Sequence, residues 1–134
     1  MKNIEHIGLA VKDLAKAVPL YELLLNTTCY KTERLEEQQV TTAFFQVGGS
    51  KLELLEGFSP DSVIGKFIEK NGEGMHHIAF AVEDIEAEMK RLQEAGFRLL
   101  QDKPLPGADN KLICFLHPKD AHGVLVELCM EKNP

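Results

Sequence analysis

Two stretches of the chain have the same order of apolar and polar positions. Residues 5–25 read EHIGLAVKDLAKAVPLYELLL, and residues 76–96 read HHIAFAVEDIEAEMKRLQEAG. Both begin with the two-residue alternation of a strand, reach an aspartate, and then place apolar residues at helical spacing. Asp13 and Asp84 predict helix N-caps, because a carboxylate there can accept the free backbone N–H groups of the first turn. The pattern therefore predicts a strand, a turn and an amphipathic helix, twice.

The two copies align without a gap at one constant offset. The offset is 77 − 6 = 71 residues and places His6 on His77. After each helix, stretches rich in β-branched and aromatic residues predict strands at 40–47 and 51–55 in the first copy and at 111–116 and 123–128 in the second. We therefore expect an α+β fold of paired βαβββ modules in one domain, residues 1–134. Module one covers about 1–57, a connecting helix about 58–72, and module two about 73–134.

Three positions make the helix ends predictable. Gly96 follows the second helix where a left-handed residue usually ends a helix. Ser59 and Pro60 predict the cap and the first turn of the connecting helix. Pro19 lies within the first helix, where it removes a backbone hydrogen bond at a cost of about 3 kcal/mol, so we expect a kink or a break there.

Composition and charge narrow the function to small-molecule chemistry. The net charge of −6 comes without a basic run, which argues against nucleic acid or an anionic membrane as partner. No apolar run approaches the roughly 20 residues that span a bilayer. The first residues lack the pattern of a signal peptide, so we expect a soluble, cytoplasmic protein. Cys29, Cys114 and Cys129 show no metal-binding spacing and are expected to be reduced thiols, with the last two in the core.

Two equivalent histidines lie on strand faces lined by small side chains. The period of two places His6 with Gly8 and Ala10, and His77 with Ala79 and Ala81. Such neighbours leave space beside an imidazole for a ligand. His76, His117 and His122 are expected outside any such site, because His76 alternates to the opposite face and the other two flank a turn.

Each module also ends on a strand that carries one inward-facing glutamate among leucines and valines. These are Glu53 in KLELLE and Glu127 in VLVELC. A carboxylate buried there without a partner would destabilise the folded chain by roughly several kcal/mol, and a bound cation would remove that cost. Two imidazoles and two carboxylates suit a divalent first-row ion. The residues therefore predict a metal site of His6, Glu53, His77 and Glu127.

At this point the chain resembles the vicinal oxygen chelate superfamily, and within it the methylmalonyl-CoA epimerases. The resemblance lies in EHIGLAV, KLELLEG, DSVIGKFIEKNGEGMHHIAFAV and HPKDAHGVLVEL, and covers nearly the whole chain. It implies that the paired modules form a U-shaped mixed sheet around a metal, with His6, Glu53, His77 and Glu127 as ligands. The ion expected is Co²⁺, Zn²⁺, Mn²⁺ or Ni²⁺, the partner an acyl-CoA substrate, and the assembly a homodimer.

The resemblance also implies a reaction and its acid–base groups. The activity is inversion at C2 of methylmalonyl-CoA through an enolate, with Glu37 of LEEQQV as one base and Glu127 as the second. Glu36 stays open as an alternative to Glu37. The segment departs from the family at Gln39, where glycine is usual, so the loop is expected to be less tight. Candidate ligands of the CoA phosphates are Lys66, Lys103, Lys111 and Lys119.

Two other functions remain open. Lactoylglutathione lyase uses a similar ligand set, although its loop before the last strand usually resembles DPDGY, whereas this chain has HPKDAHGV. The fold also serves in proteins that sequester a ligand without catalysis, but sequestration needs no intact metal site.

Overall fold

The computed structural model describes residues 1–132, which divide into two compact units. The first unit comprises residues 6–76, and the second comprises residues 1–5 together with residues from 77 onward. In chain order the elements are β1 (Asn3–Ala10), α1 (Leu14–Leu25), β2 (Lys31–Leu35), β3 (Val40–Val47), β4 (Ser50–Gly57), α2 (Val63–Asn71), β5 (Gly74–Ala81), α3 (Ile85–Glu94), β6 (Leu105–Gly107), β7 (Lys111–Leu116) and β8 (Val126–Glu131).

Each unit is built around a mixed four-stranded arrangement with the same connectivity. In the first unit the strand order is β2-β3-β4-β1, with β1 parallel to β4 and the other neighbours antiparallel. In the second unit the order is β6-β7-β8-β5, with β5 parallel to β8. Residues 1–5 join the second unit, where the Lys2 N–H donates to the Ala81 carbonyl at 2.8 Å. The predicted fold class, α+β with paired βαβββ modules, is confirmed.

Helices cover the sheets through small apolar cores. In the first unit α1 packs on a cluster of Val11, Ala43, Phe45 and Leu54. A second cluster in that unit contains Ala10, Val40, Leu55 and Ile64, the last from α2. In the second unit the core comprises Val82, Ile85, Met89, Leu92, Cys114, Leu116 and Leu128. The buried Cys114 and Cys129 confirm the prediction that these thiols fill the core, and none of the three cysteines forms a disulfide bond among the described residues.

The predicted caps of the repeated helices are confirmed. Asp13 accepts from the Ala15 N–H at 2.9 Å, and Asp84 accepts from the Ala87 N–H at 3.1 Å. Gly96 has a φ of 101° and follows α3 at the position where the chain must reverse. The next residue, Phe97, returns its N–H to the Leu92 carbonyl at 2.9 Å, which closes the helix end.

Pro19 does not break the first helix. Helix α1 runs without interruption from Leu14 to Leu25 with this proline inside it. Partly buried residues on both sides of the proline, among them Leu14, Val18 and Tyr21, pack on the core and offset the lost hydrogen bond.

Two predicted boundaries are wrong. The cap of the connecting helix is Ser62, whose hydroxyl accepts from the Gly65 N–H at 3.0 Å. Ser59 instead supplies the carbonyl that accepts from the Ser62 hydroxyl at 2.7 Å, so it belongs to the preceding turn. The last strand begins at Val126 rather than at Gly123, because Gly123 has a φ of 91° and still belongs to the turn. In the part of the chain that the structure describes, no helix is long and apolar enough to cross a membrane.

Candidate active site

The strand register of the first unit brings His6 and Glu53 together. In the parallel pair β1 and β4, Gly8 lies beside Glu53 and His6 lies beside Lys51. Residues paired in this way share a face of the sheet, and Gly8 is two residues beyond His6 on that face. Glu53 therefore lies on the same face as His6 and close to it. The His6 Nδ1 and the Glu53 Oε2 are 3.2 Å apart, and both side chains are 5% exposed.

The second unit repeats this pair. In the parallel strands β5 and β8, Ala79 lies beside Glu127. His77 is two residues before Ala79 and therefore occupies the same face. The His77 Nε2 and the Glu127 Oε1 are 3.3 Å apart, and both side chains are 6% exposed. Each unit thus buries one imidazole against one carboxylate.

The surroundings of the two pairs are equivalent as well. On the antiparallel neighbour of each glutamate strand, Phe44 lies opposite Glu53 and Phe115 lies opposite Glu127. The Phe115 ring meets the His77 ring edge-on, with centroids 5.9 Å apart and planes at 90°. A phenylalanine ring beside a buried carboxylate lowers the polarity around it, so the carboxylate needs a compensating positive charge.

The donor types of both pairs fit a divalent cation. Imidazole nitrogen and carboxylate oxygen are the ligands that first-row divalent ions take in proteins, and a cation would compensate the buried carboxylate. The sequence predicted His6, Glu53, His77 and Glu127 as ligands, and the structure buries all four and joins them within the units as His6 with Glu53 and His77 with Glu127.

Glu37 lies in the turn between β2 and β3. The Gln39 N–H closes that turn on the Glu36 carbonyl at 3.2 Å, and the Phe58 N–H donates to the Gln39 carbonyl at 2.9 Å. Gln39 has a φ of 52°, the left-handed conformation in which glycine is favoured, and the turn closes without a glycine.

The two neighbouring glutamates of this turn differ in their contacts. Glu36 is bound by Arg34, whose Nε lies 2.8 Å from the Glu36 Oε1. Glu37 is exposed, and among residues 1–132 the structure shows no hydrogen bond or ion pair to its carboxylate. A carboxylate without a competing cation is the better candidate for moving a substrate proton.

The other histidines have structural roles. His76 meets the Phe67 ring edge-on at 4.9 Å, and its burial lowers the pKa of the imidazole. The His117 Nδ1 accepts from the Lys119 N–H at 3.2 Å, which caps the turn before β8. His122 ends that turn in a left-handed conformation with a φ of 56°.

An ion pair fixes the HPKD turn that precedes β8. Asp120 accepts from the Arg98 backbone N–H at 2.8 Å and from its guanidinium at 2.9 and 3.1 Å. These hydrogen bonds lower the pKa of Asp120 to about 2, and the same carboxylate raises the pKa of Arg98. The family resemblance marked this turn, and its carboxylate anchors the loop that leads into the strand of Glu127.

The four lysines considered for CoA phosphates differ in accessibility. Lys111 is 8% exposed and its ammonium is paired with Glu131. Lys66, Lys103 and Lys119 are exposed. Sequence reasoning missed the burial of Lys111, because strand register decides which carboxylate lies opposite it.

Sequence reasoning also passed over residues 108–110, the loop before β7. Two successive residues there, Asp109 and Asn110, have φ values of 59° and 57°. The 71-residue offset would have found this loop, because it places Gln39 on Asn110.

Comparison with known proteins gives consistent relatives along the chain. An ethylmalonyl-CoA/methylmalonyl-CoA epimerase of Cereibacter sphaeroides is 41% identical over 94% of this chain and 96% of its own length. The mitochondrial methylmalonyl-CoA epimerase of Homo sapiens is 40% identical over 94% of this chain and 72% of its own length. A structure of a Streptomyces coelicolor methylmalonyl-CoA epimerase variant in complex with 2-nitronate-propionyl-CoA superposes with a TM-score of 0.95 at 41% identity and covers 99% of both chains.

The family model that matches describes a superfamily rather than one activity. Its match begins in β1, includes His6, Glu53 and His77, and ends at Phe115, before Glu127. Because residues 5–115 match this model, the chain belongs to the Glyoxalase/Bleomycin resistance protein/Dioxygenase superfamily.

Proposed function

We propose that the protein is an isomerase that interconverts the 2R and 2S forms of methylmalonyl-CoA. The observation that carries the proposal is the buried His–Glu pair, present once in each unit, in a chain about 40% identical to epimerases of this substrate. The fold agrees, since a solved epimerase superposes along 99% of the chain. We take residues 1–134 as one catalytic domain with the module boundaries expected from the repeat.

Both pairs together bind one divalent ion in this proposal. A single pair offers only two protein ligands, whereas protein sites for first-row ions usually use three or four, and the repeat supplies the other two. His6, Glu53, His77 and Glu127 would hold Co²⁺, Zn²⁺, Mn²⁺ or Ni²⁺. When bound, the ion would supply positive charge beside the substrate oxygens and so make the C2 proton more acidic.

Glu37 removes the C2 proton in one direction and returns it in the other. Its carboxylate is exposed, in contrast to that of Glu36, which Arg34 holds. The C2–H electron pair passes into the enolate of the thioester, and a second group must deliver a proton to the opposite face. By resemblance to the family, Glu127 is the proposed second base.

Deuterium exchange at C2 tests the proposal. Enzyme incubated with methylmalonyl-CoA in D₂O is expected to give inverted, deuterated product, and a chelator should abolish the exchange. Glu37→Gln should lower kcat by about 10²- to 10⁴-fold, the usual contribution of a positioned acid–base group. Glu36→Gln is the matched control and should stay near the wild-type rate. Exchange that persists unchanged in Glu37→Gln would refute the role of this residue.

A glyoxalase-type isomerase is not favoured. The two relatives described above, at 40% and 41% identity, are epimerases, and the turn before β8 follows the HPKD pattern. The expected rate with methylglyoxal and glutathione in a spectrophotometric assay is near background. A purified protein that binds neither cobalt nor zinc would instead favour a binding module without catalysis.

The proposed partners are an acyl-CoA and a second copy of the chain. Lys66, Lys103 and Lys119 are exposed and so available to the CoA phosphates, whereas Lys111 is paired with Glu131. The homodimer is supported by exposed apolar side chains on α1, which include Leu23 at 85% exposure.

Light scattering of the purified protein measures the assembly. We expect twice the chain mass for the wild type and a lower mass for Leu23→Glu, and a wild-type mass of one chain would refute the homodimer. The three cysteines form no disulfide among the described residues, which supports a reducing, cytoplasmic setting.

A further inference from the structure

Lys31 lies on the face of the first unit's sheet that carries the His6–Glu53 pair. In the strand register Lys31 is opposite Phe44, and Phe44 is opposite Glu53, so the three side chains share one face. Two strand spacings, about 10 Å, separate the backbones of the lysine and the glutamate. The lysine side chain spans part of that distance, because its ammonium lies 4.8 Å from the centre of the Phe44 ring. A positive charge is therefore held over the ring that neighbours Glu53.

A buried hydroxyl lies on the same face, one step along β3. Thr42 is two residues before Phe44, which places both side chains on one side of the strand. Thr42 is 1% exposed, and its Oγ1 has no hydrogen-bond partner in the part of the chain that the structure describes. Folded proteins rarely leave such a group unsatisfied, so the hydroxyl indicates a bound molecule that completes its hydrogen bonds.

A carboxylate of the chain itself marks the place that a bound anion would take. Glu33 is opposite Thr42 in the register of β2 and β3, and its Oε1 lies 3.8 Å from the Lys31 ammonium. The side chains of Lys31 and Glu33 are 38% and 33% exposed, and an ion pair this open to water contributes little to stability. A substrate carboxylate can therefore replace Glu33 beside the ammonium at little cost.

The proposed substrate carries two kinds of anionic group, and the inference rests on that proposed function. The free carboxylate of the methylmalonyl group is attached to C2, beside the thioester carbonyl. The phosphates of CoA lie at the far end of the pantetheine arm. Lys31 and Thr42 share a face with a His–Glu pair that is proposed to hold the metal beside the substrate oxygens. Their position therefore suits the carboxylate rather than the phosphates.

We propose that Lys31 and Thr42 form the subsite that recognises the free carboxylate of the substrate. The ammonium donates one hydrogen bond to this carboxylate and offsets its charge, and the Thr42 hydroxyl donates another. Removal of the C2 proton places a second negative charge beside the carboxylate, and like charges disfavour ionisation. The subsite therefore both selects malonyl-type thioesters over simple acyl-CoA and eases formation of the enolate.

Calorimetric binding of two thioesters tests the subsite. Methylmalonyl-CoA has the free carboxylate, whereas propionyl-CoA lacks it and carries the same phosphates. Lys31→Met and Thr42→Val should each weaken binding of methylmalonyl-CoA by about 10-fold, the usual loss for one hydrogen bond to a charged group. Binding of propionyl-CoA should stay within about twofold of wild type. Equal losses for both thioesters in Lys31→Met would assign the lysine to the phosphates and overturn the inference.

Control variants change the same residue types away from this face. Thr41 alternates to the opposite face of β3, and Lys16 is exposed on α1, which packs on that opposite face. Thr41→Val and Lys16→Met should bind both thioesters as wild type does. Thr42→Ser keeps the hydroxyl and should retain most of the affinity for methylmalonyl-CoA. Binding by Thr42→Ser as weak as that by Thr42→Val would remove the hydroxyl from the subsite.

Thermal melting separates recognition from a structural role. Thr42→Val loses an unsatisfied hydroxyl, so it should be at least as stable as wild type while its affinity for methylmalonyl-CoA falls. A residue that only supports the fold would behave differently. A lower melting temperature together with weaker binding of both thioesters would show such a role and contradict the inference.

The failure of this inference differs from failure of the proposed function. If wild-type protein neither binds methylmalonyl-CoA nor exchanges its C2 proton, the proposed function is wrong and the inference falls with it. If wild type exchanges the proton, but Lys31→Met and Thr42→Val bind methylmalonyl-CoA as tightly as wild type, only the carboxylate subsite is overturned.

Discussion

Helices α1 and α3 occupy equivalent places in the repeat, yet α1 exposes large apolar side chains to solvent and α3 does not. On α1 the residues Leu20, Leu23 and Leu24 are 60%, 85% and 68% exposed, and none of its residues is buried. On α3 the residues Ile85, Met89 and Leu92 are buried. The 71-residue offset places Leu20, Leu23 and Leu24 on Arg91, Glu94 and Ala95.

The strands that carry the His–Glu pairs, unlike the helices, have the same arrangement in both units. Each His–Glu pair has nearly the same separation, 3.2 Å in the first unit and 3.3 Å in the second, and each glutamate faces a phenylalanine. The strands that carry the His–Glu pairs are alike in the two units, while the exposed faces of the helices differ. The comparison therefore distinguishes the positions proposed to take part in chemistry from the positions that form the surface of each unit.

The largest effect is expected on metal affinity, when the glutamates of the two His–Glu pairs are replaced one at a time. Family resemblance places glutamine at the Glu53 position in some members, so Glu53→Gln should lower metal affinity by less than about 10-fold. Glu127→Gln should lower the metal affinity by about 100-fold or more. Loss of a residue that only supports a ligand can already cost about this much, and Glu127 is itself a proposed ligand. Titration with cobalt, followed by its absorption spectrum, measures both affinities. Equal losses would mean that the two pairs are functionally alike.

A buried hydroxyl in the first unit has no counterpart in the second. Thr42 is 1% exposed, and its Oγ1 has no hydrogen-bond partner among the described residues. The offset places this residue on Ile113. Thr42→Val should raise the free energy of unfolding by about 1 kcal/mol, because an unsatisfied buried hydroxyl is replaced by a methyl group of similar size. Urea denaturation measures the change.

The control for this prediction lies next to it in the strand. Thr41 alternates to the other face and is partly exposed, so Thr41→Val should change stability by less than about 0.5 kcal/mol. A loss of stability in Thr42→Val would show that the hydroxyl has a partner in solution, such as a buried water.

The left-handed residues before β3 and β7 give a smaller effect. Gln39→Gly should stabilise the protein by about 0.5 kcal/mol, because the relief of a left-handed backbone slightly exceeds the added entropy of glycine in the unfolded chain. Asn110→Gly should gain less, since asparagine tolerates this conformation better. Thermal melting of the two variants checks the order, and a larger gain for Asn110→Gly would contradict it.

The smallest effect is expected at the turns before the glutamate strands. The first unit uses a short turn at Gly48 and Gly49, whereas the second is clamped by Asp120 and Arg98. The pKa of Asp120 is lowered to about 2, so its contribution to stability is present above about pH 4 and is lost as the pH falls toward 2. The stability difference between wild type and Asp120→Asn should therefore shrink over that range in melts followed by circular dichroism. Solvent screening keeps the difference small, and a difference that does not depend on pH would contradict the assignment.

Much of the fold followed from local pattern. Asp13, Asp84 and Gly96 were predictable because a cap depends on a few neighbouring residues and on backbone chemistry. Pro19 was misjudged as a possible break, because its cost is local whereas the packing that offsets it comes from strands far along the chain. The cap at Ser62 was misplaced by three residues, since two serines and a proline offered alternative starts.

The sequence by itself determined the repeat, the strand faces of His6 and His77, and the types of ligand available. Only the tertiary structure decided that each histidine meets the glutamate of its own unit and that Lys111 is buried. The physical reason is that side-chain alternation is a property of a single strand, whereas the residue lying opposite depends on the register between strands that are distant in sequence.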